Sequence, residues 1–538
     1  MPPLDPPRTG ADLLVRRLRE HGVRHVFGYP GGQLTPLYDA LYRDGTIRHV
    51  LARHEQAAAF MADGYARSTG RPGVCLAVCG PGTYNAATPL ATAFTDSIPV
   101  LLLSGQIPTA GAGLRSGYYH ENDQLHACTS MTKDRVHVER LAGVVSGLDH
   151  CMAALTRDRP GPVLLEIPLD VQRAEADPSL VRDWPALPPP PAAKEPRGPD
   201  IDNLVKHLAG WQRPLILAGG GVISAGAEAI LVQLADRLGA PVFHTLVGKA
   251  AFPADHPLHR GLPWRRATSD LTSMADFMSP LFTEADGLLA VGCRFTQAAT
   301  GNWTLPVPRE LAQIDVDPAE IGRHYPVTLG VEADVRLALE RLLARLPAQP
   351  RRPWAGPAAP REPWRLPGLD LLGPLRRALP RDAIVAADIT RLSYILLADF
   401  PVYAPRTVLH PAGFVAMGYG LPAALGARAA HPGRAVVAVV GDGCFLMSGM
   451  ELATAVQEDL PVVVTLMNDG SLTLIKAIQE RRYERRFLGV DLRNPDFRLL
   501  AQAFGVRFWH ASADGGFEEA VREAVALGKP ALVEVRLG

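Results

Sequence analysis

Two aspartates in the last third of the chain have a pattern that suggests chemistry. Asp442 lies in Gly441-Asp442-Gly443, directly after the apolar run Ala435–Val440, and Asp469 follows Asn468 just beyond the run Pro461–Leu466. If both runs are parallel strands joined by a helix over Ser448–Glu458, a right-handed crossover puts their carboxyl ends on one edge of the sheet. The two carboxylates then stand side by side where open α/β sheets bind ligands. Such a pair calls for a cation. Hard oxygen donors favour magnesium or calcium, and magnesium usually completes its shell with phosphate oxygens and water. Gly443, Ser448 and Gly449 are small enough to admit a diphosphate, and the helix start supplies free N–H groups. Gly-Asp-Gly alone is usually a strand-ending turn. The Asn-Asp on the next strand gives it a chemical reading.

The elements that must position these groups follow from the rest of the chain. A length of 538 residues suits about three domains. Proline-rich stretches near residues 174–200 (Leu187-Pro-Pro-Pro-Pro-Ala192) and 346–368 (Pro350-Arg-Arg-Pro-Trp354, Pro360-Arg-Glu-Pro363) read as exposed linkers. They divide the chain into domains at 1–175, 199–346 and 368–538. Each block alternates short β-branched runs with longer amphipathic ones, so the expected fold is α/β, three doubly wound parallel-sheet domains. Strands are expected at Val74–Val78, Val100–Leu103 and Pro214–Ala218, with helices over Asn85–Phe94 and Ala227–Leu238.

Lys plus Arg and Asp plus Glu both count 55, which argues against a nucleic-acid partner. No apolar run approaches the ~20 residues of a membrane span, and the N-terminus lacks the apolar stretch of a signal peptide; a cytoplasmic protein is expected. Six cysteines make no disulfide framework, and Cys75 and Cys79, without a second pair, read as buried thiols rather than zinc ligands.

The run from Gly441-Asp442-Gly443 to Asn468-Asp469 resembles the diphosphate- and metal-binding motif of thiamine diphosphate enzymes. The resemblance implies thiamine diphosphate and magnesium as cofactors, with Asp442, Asp469 and the backbone carbonyl of Ser471 as metal ligands and Gly441 and Gly443 beside the diphosphate. Asp469 replaces a commoner Asn but remains an oxygen ligand. Phe27-Gly-Tyr-Pro-Gly-Gly32, Arg53-His-Glu-Gln56, Gly80-Pro-Gly-Thr83 and Ser104-Gly-Gln106 follow in the order seen in the acetolactate synthase and 2-oxo acid decarboxylase group. By that likeness Glu55 is the catalytic carboxylate. It would hydrogen-bond the aminopyrimidine ring and favour the tautomer that removes the thiazolium C2 proton. Gly31 and Gly80 would contact the cofactor, and Met417, in Gly413–Pro422, would prop it in a bent form. The family also implies a homodimer or homotetramer whose active sites lie at the subunit interface, Glu55 and Asp442 serving one cofactor from different chains.

Several positions depart from the synthase pattern. The central block carries Gly219-Gly-Gly221 and Gln313-Ile-Asp-Val-Asp317, similar to an FAD-binding domain, but the segments that would hold the flavin ring read Leu262-Pro-Trp-Arg-Arg-Ala267 and Arg294-Phe-Thr-Gln-Ala298. The three glycines also lack dinucleotide spacing. FAD is therefore not expected. Ala298 and Leu169 replace an arginine and a lysine, and His120 replaces a glutamine. Lys476 and Ile478 stand for an apolar residue and a tryptophan. Gly32, His120, Leu474, Lys476 and Ile478 are the expected substrate pocket, His120 shuttling protons near neutral pH. Losing cationic partners weakens recognition of a carboxylate acceptor, with Lys476 and Arg294 as candidate replacements.

The expected activity is decarboxylation of a pyruvate-like 2-oxo acid with carboligation to a second carbonyl compound. The alternative is release of an aldehyde from a larger 2-oxo acid; Tyr119–Gln124 resembles segments of guanidino-oxo acid decarboxylases. An inactive cofactor-binding paralogue is a further alternative, against which Glu55 and Asp442 both speak.

Overall fold

A computed structural model describes residues 7–111, 115–176, 179, 182–265, 277–356, 370–512 and 515–537. Arg266, Ala267, the Pro360–Pro363 run and the expected start of the third domain at 368 lie outside them. The chain forms two compact units: Met1–Ala192 with Phe414–Gly433 and Ser448–Val462, and Ala193–Gly413 with Arg434–Met447 and Val463–Gly538.

The first unit holds six strands: β1 (His25–Gly28), β2 (Arg48–Leu51), β3 (Gly73–Ala77), β4 (Val100–Gln106), β5 (Asp134–His137) and β6 (Val163–Pro168). They pair in the order β2-β1-β3-β4-β6-β5, all parallel. All residues of β3, β4 and β6 are buried, as expected of parallel strands covered on both faces. The order reverses at β1/β3, and at such a switch point the connecting loops leave a crevice beyond the strand ends.

Across this sheet lies the helix Glu55–Thr69, itself covered by the helix Gly420–Ala430. The two approach closely because Gly64 and Gly426 carry no side chain; a Cβ on either would overlap the other helix's backbone. A buried charge cluster locks the crossing. Arg67 donates to Asp63 at 2.6 Å and Asp96 at 2.9 Å, and Tyr419 Oη donates to Asp63 at 3.0 Å. Removing one member would leave a buried charge uncompensated, at about 3–5 kcal/mol.

In the second unit the central sheet comprises β7 (Pro214–Ala218), β8 (Val242–His244), β9 (His259–Gly261), β12 (Gly287–Val291), β13 (Glu310–Asp315) and β14 (Leu329–Glu332), ordered β14-β13-β12-β7-β8-β9. That is the dinucleotide-fold order, with its switch point at β7/β12. The short strands β10 (Trp264–Arg265) and β11 (Phe277–Met278) pair antiparallel beside it in sequence. The third sheet comprises β15 (Ile384–Ala387), β16 (Val408–Leu409), β17 (Val436–Gly441), β18 (Val463–Asn468), β19 (Arg507–Ser512) and β20 (Ala531–Arg536). Its order, β16-β15-β17-β18-β20-β19, repeats that of the first sheet strand for strand. All three sheets are parallel α/β layers, as the sequence predicts.

The linkers are extended yet partly pinned. Arg17 donates to the carbonyls of Pro185 and Ala186, and Trp184 Nε1 to Glu20. Farther on, Trp354 Nε1 donates to the Pro214 carbonyl at 2.7 Å, and Arg351 to Trp211 and Leu208. Exposed backbone thus gains fixed partners on the neighbouring sheets' helices and strand ends. All six cysteines are buried and free, burial pushing the Cys79 thiol up to about 11.

Candidate active site

In the first unit the loops after β1, β2, β3 and β4 converge beyond the strand ends. The helix Glu55–Thr69 begins at once because His54, in extended conformation, caps it: His54 Nδ1 accepts the Gln56 N–H at 3.1 Å. Glu55 therefore sits in the first turn, where the helix field favours a carboxylate. Its Oε2 accepts Asn85 Nδ2 at 3.0 Å, and a Cβ on Gly82 would come within 3.2 Å of Oε1. Glycine at 82 makes room for the carboxylate.

Gly80 adopts φ 67° and donates its N–H to Gln124 Oε1 at 3.0 Å. Buried Gln124 in turn donates to Ser104 Oγ and the Gly105 carbonyl, both at 3.0 Å. This network fixes the β3 loop against the end of β4. A Cβ on Gly31 would sit 2.6 Å from Val78, so the β1 loop lies against the same segment, while a Cβ on Gly32 would meet open space. His120 is left-handed, φ 67°, with its Nδ1 3.2 Å from the Cys79 carbonyl. That contact assigns the proton to Nδ1 and turns Nε2 to its own surroundings. The His120 carbonyl lies 3.2 Å from where a Gly80 Cβ would be. The half-buried Met417 precedes Gly418, φ 85°, and the helix that packs on the Glu55 helix.

In the second unit Asp442 opens the helix Asp442–Ser448 directly at the end of β17, and Gly441 lies against Thr390, its absent Cβ 3.3 Å from Thr390 Cγ2. Asp442 is buried. Oδ1 accepts the Gly443 N–H at 2.9 Å; Oδ2 accepts Gly470 N–H at 2.9 Å and Asn494 Nδ2 at 2.6 Å. Burial first, then the like charge of Asp469, pushes its carboxyl above the usual range, against the pull of these donors. The two carboxylates therefore feel each other at neighbouring strand ends, the situation a cation relieves.

Asp469 accepts the Ser471 N–H at 3.3 Å and the Thr473 hydroxyl, closing a turn that needs Gly470 at φ 62°. Ser471 pairs with Asp491 through Leu472 N–H to Val490 O and Leu492 N–H to Gly470 O. Neither bond uses the Ser471 carbonyl, which suits it to a metal. Asn494 Oδ1 is buried with no partner in the structure. These donors fit magnesium.

Leu474, Lys476 and Ile478 lie on the helix Thr473–Arg482, which buries none of its residues. Lys476 Nζ pairs with Asp491 Oδ1 at 2.5 Å. Both side chains of that pair are exposed, and such pairs are worth about 0–1 kcal/mol, so the pairing alone does not decide whether Lys476 meets a carboxylate acceptor.

The central sheet bears on the flavin. At the β7/β12 switch point a Cβ on Gly219 would overlap Gly292, one on Gly221 would lie 2.6 Å from Gly292 Cα, and one on Gly220 2.7 Å from Val247. The three glycines are used for backbone packing. Trp264 Nε1 donates to the Ala298 carbonyl at 2.9 Å, closing the two divergent segments on one another. Close glycine packing of this kind also occurs in dinucleotide folds, so the expectation about FAD rests on the sequence departures at Leu262–Ala267 and Arg294–Ala298.

Gly31, Gly32, Glu55, Gly80, His120 and Met417 thus fall in one unit, and Gly441, Asp442, Gly443, Asp469, Ser471, Leu474, Lys476 and Ile478 in the other. Sequence reasoning missed Asn85 at the end of one short helix, Gln124 at the start of another, and Asn494 outside regular structure, amides whose roles come from long-range contacts.

Residues 8–127 match the N-terminal TPP binding domain of thiamine pyrophosphate enzymes, 201–342 the central domain and 388–535 the C-terminal TPP binding domain. An acetolactate synthase large subunit of Corynebacterium glutamicum is 36% identical over 92% of this chain and 81% of its own length. A probable 2-ketoarginine decarboxylase of Pseudomonas aeruginosa is 36% identical over 99% of this chain and 95% of its own. An X-ray structure described as that of a thiamin diphosphate-dependent enzyme from Mycobacterium smegmatis superposes with a TM-score of 0.82 at 25% identity, covering 99% of this chain and 100% of that one.

Proposed function

This chain belongs to the thiamine pyrophosphate enzymes, and from that premise we propose that it decarboxylates a pyruvate-like 2-oxo acid and carboligates the remaining acyl fragment to a second, uncharged carbonyl compound. The observation that carries the decarboxylation is Glu55, capped at a helix start with one oxygen held by Asn85. Bound thiamine diphosphate supplies the carbon nucleophile and the electron sink for loss of carbon dioxide. Glu55 holds the aminopyrimidine in its proton-accepting tautomer, Gly31, Gly80 and Met417 shape its seat, and Gly441 and Gly443 leave room for the diphosphate. Asp442, Asp469 and the Ser471 carbonyl bind magnesium. His120, fixed through Nδ1, would give or take a proton at Nε2, and Gly32, Leu474, Lys476 and Ile478 would contribute to the substrate pocket. The chain comprises pyrimidine-binding (1–175), central (199–346) and diphosphate-binding (368–538) domains. It works in the cytoplasm as a homodimer or homotetramer whose partner chain completes each site.

The uncharged acceptor follows from charge. A carboxylate entering a closed site must leave water, and without a cationic partner that is costly. Ala298 and Leu169 offer no charge; Lys476 is engaged by Asp491 in an exposed ion pair, which leaves Lys476 and Arg294 as the candidate cations that competition between acceptors tests. With a fixed donor, a neutral aldehyde is expected to compete at least equally with pyruvate. Ala298→Arg should raise the pyruvate-derived product, since a hydrogen bond to a charged group is worth about 1.5–3 kcal/mol, on the order of tenfold or more. Strong wild-type preference for pyruvate, indifferent to the arginine, would refute this. Aldehyde release with every acceptor would instead favour the second reading, a decarboxylase of a larger 2-oxo acid. That reading draws on His120 as proton donor and on the 2-ketoarginine decarboxylase relative.

The purified protein is expected to be colourless, and added FAD to leave activity unchanged, because Leu262–Ala267 and Arg294–Ala298 lack the residues that would cradle the flavin ring and Gly219–Gly221 lack dinucleotide spacing. A stoichiometric flavin absorbance band would overturn this.

A further inference from the structure

Glu451 ends the short turn Gly449–Glu451 and is 1% exposed. Its two carboxylate oxygens accept the Arg53 N–H at 2.9 and 3.2 Å. The His54 N–H also faces it. Thr454 Oγ1 lies 2.7 Å from Glu451 Oε2 and 2.8 Å from the Leu51 carbonyl, its single proton shared between them. The clasp therefore grips residues 51–54, the stretch that delivers the chain from β2 into the Glu55 helix. Among the described residues Glu451 has no ion-pair partner: the Arg53 guanidinium turns away to Gln457 Oε1 at 2.6 Å.

A buried carboxylate without a cation is an expensive way to accept backbone N–H groups; a neutral amide would satisfy the same geometry. We propose that Glu451 is a positioning residue for Glu55: its oxygens accept the Arg53 and His54 N–H groups, fixing the first turn that carries Glu55, most firmly in the uncharged form, and ionisation of the buried carboxyl loosens that hold. The proposal rests on the reading of Glu55 as the activating carboxylate. Burial pushes Glu451 up to about 7, opposed by the Thr454 and Arg53 hydrogen bonds and the Arg53 charge, so the switch falls in the working range of pH. The charged and titratable groups shown at this contact are Arg53, His54 and Arg48 on the β2 side and Glu458 on its own segment. Arg48 lies 3.7 Å from Glu458, which leaves Glu451 to titrate without a partner of its own.

The sign also fixes a stability signature. A carboxyl raised from 4.5 to about 7 binds its proton more tightly folded than unfolded, so its contribution to stability is present below the lower value and lost as pH rises through the upper one. Glu451→Gln should abolish that component of the fall in melting temperature.

The test uses the full chain and two readouts. Amide hydrogen exchange of a peptide spanning Leu51–Ala58, corrected for intrinsic rates, should show about tenfold lower protection at about pH 8 than at about pH 6 in wild type, and no such difference in Glu451→Gln. Exchange of the C2 proton of added thiamine diphosphate should show an inflection near 7 that the same variant loses, with cofactor affinity changed by less than about twofold. Should Glu451→Gln fail to fold, Thr454→Val removes a donor to the carboxylate and should move both inflections upward. Retained pH dependence in Glu451→Gln, or unmoved inflections in Thr454→Val, would overturn the proposal. Loss of C2 exchange in Glu55→Gln reports separately on the reading of Glu55, and protection needs no cofactor, so failures of the two are distinguishable.

Discussion

Glu55→Gln is expected to keep thiamine diphosphate bound while slowing exchange of its C2 proton by about a hundredfold to ten-thousandfold, the range for a lost acid–base group. Gln preserves the size of the side chain, so the gap left by Gly82 is filled equally well. Asn85 Nδ2, 3.0 Å from Glu55 Oε2, can still donate to the Gln carbonyl oxygen. What disappears is the charge, and with it the preference for the ring tautomer that accepts the C2 proton. Affinity should change little, because the diphosphate and its metal are held by Asp442, Asp469 and Ser471 rather than by Glu55. Exchange is read by acid quench and proton NMR after transfer to deuterated buffer. Wild-type rates in the variant would remove Glu55 from its assigned role.

The sequence was most legible where a short-range pattern decides the structure. The strand Pro214–Ala218 was read to the residue, and β17 and β18 only one or two positions early, because Gly441 and Asn468 still pair in the ladder with Met467 and Arg536. Helices were read less well. The expected Asn85–Phe94 stretch is two helices, Pro81–Asn85 and Ala87–Asp96, divided at Ala86. The expected Ser448–Glu458 helix is a tight turn followed by Leu452–Gln457, and a helix begins already at Asp442. Gly449 marks that break but does not announce its geometry. Contacts between distant residues were invisible: nothing near Asn494 points to Asp442, and nothing near Glu451 points to Arg53. Lys476 shows the converse, since its charge is plain in the sequence and its exposed pairing with Asp491 is not.

Asp442→Ala is expected to strip the cofactor, and a chelator acting on the wild type should do the same. The argument begins with what Asp442 holds. Its Oδ2 satisfies the Gly470 N–H and Asn494 Nδ2, and Asn494 also reaches Asn468 Oδ1 at 3.0 Å, while Asn468 Nδ2 donates to Glu534 Oε1 at 2.7 Å. Truncation to alanine removes the acceptor of three donors, the Gly443 and Gly470 N–H groups and Asn494 Nδ2, at about 1–3 kcal/mol each where they remain buried and find no other partner. It also removes an anionic ligand from a cation that needs near-complete octahedral oxygen coordination, and the diphosphate loses the charge that joins it to the protein. Two further variants separate these effects. Asp442→Asn retains an oxygen that can accept the Gly470 N–H but carries no charge, so cofactor loss there assigns the defect to the metal rather than to the fold. Asp469→Asn keeps an oxygen ligand at the less buried of the two positions and should retain cofactor. Thiamine diphosphate remaining per chain after gel filtration, with and without chelator, reads every arm, and thermal melting checks that each variant is folded. Full retention in Asp442→Ala, or in chelator-treated wild type, would mean that the diphosphate is held without this metal site.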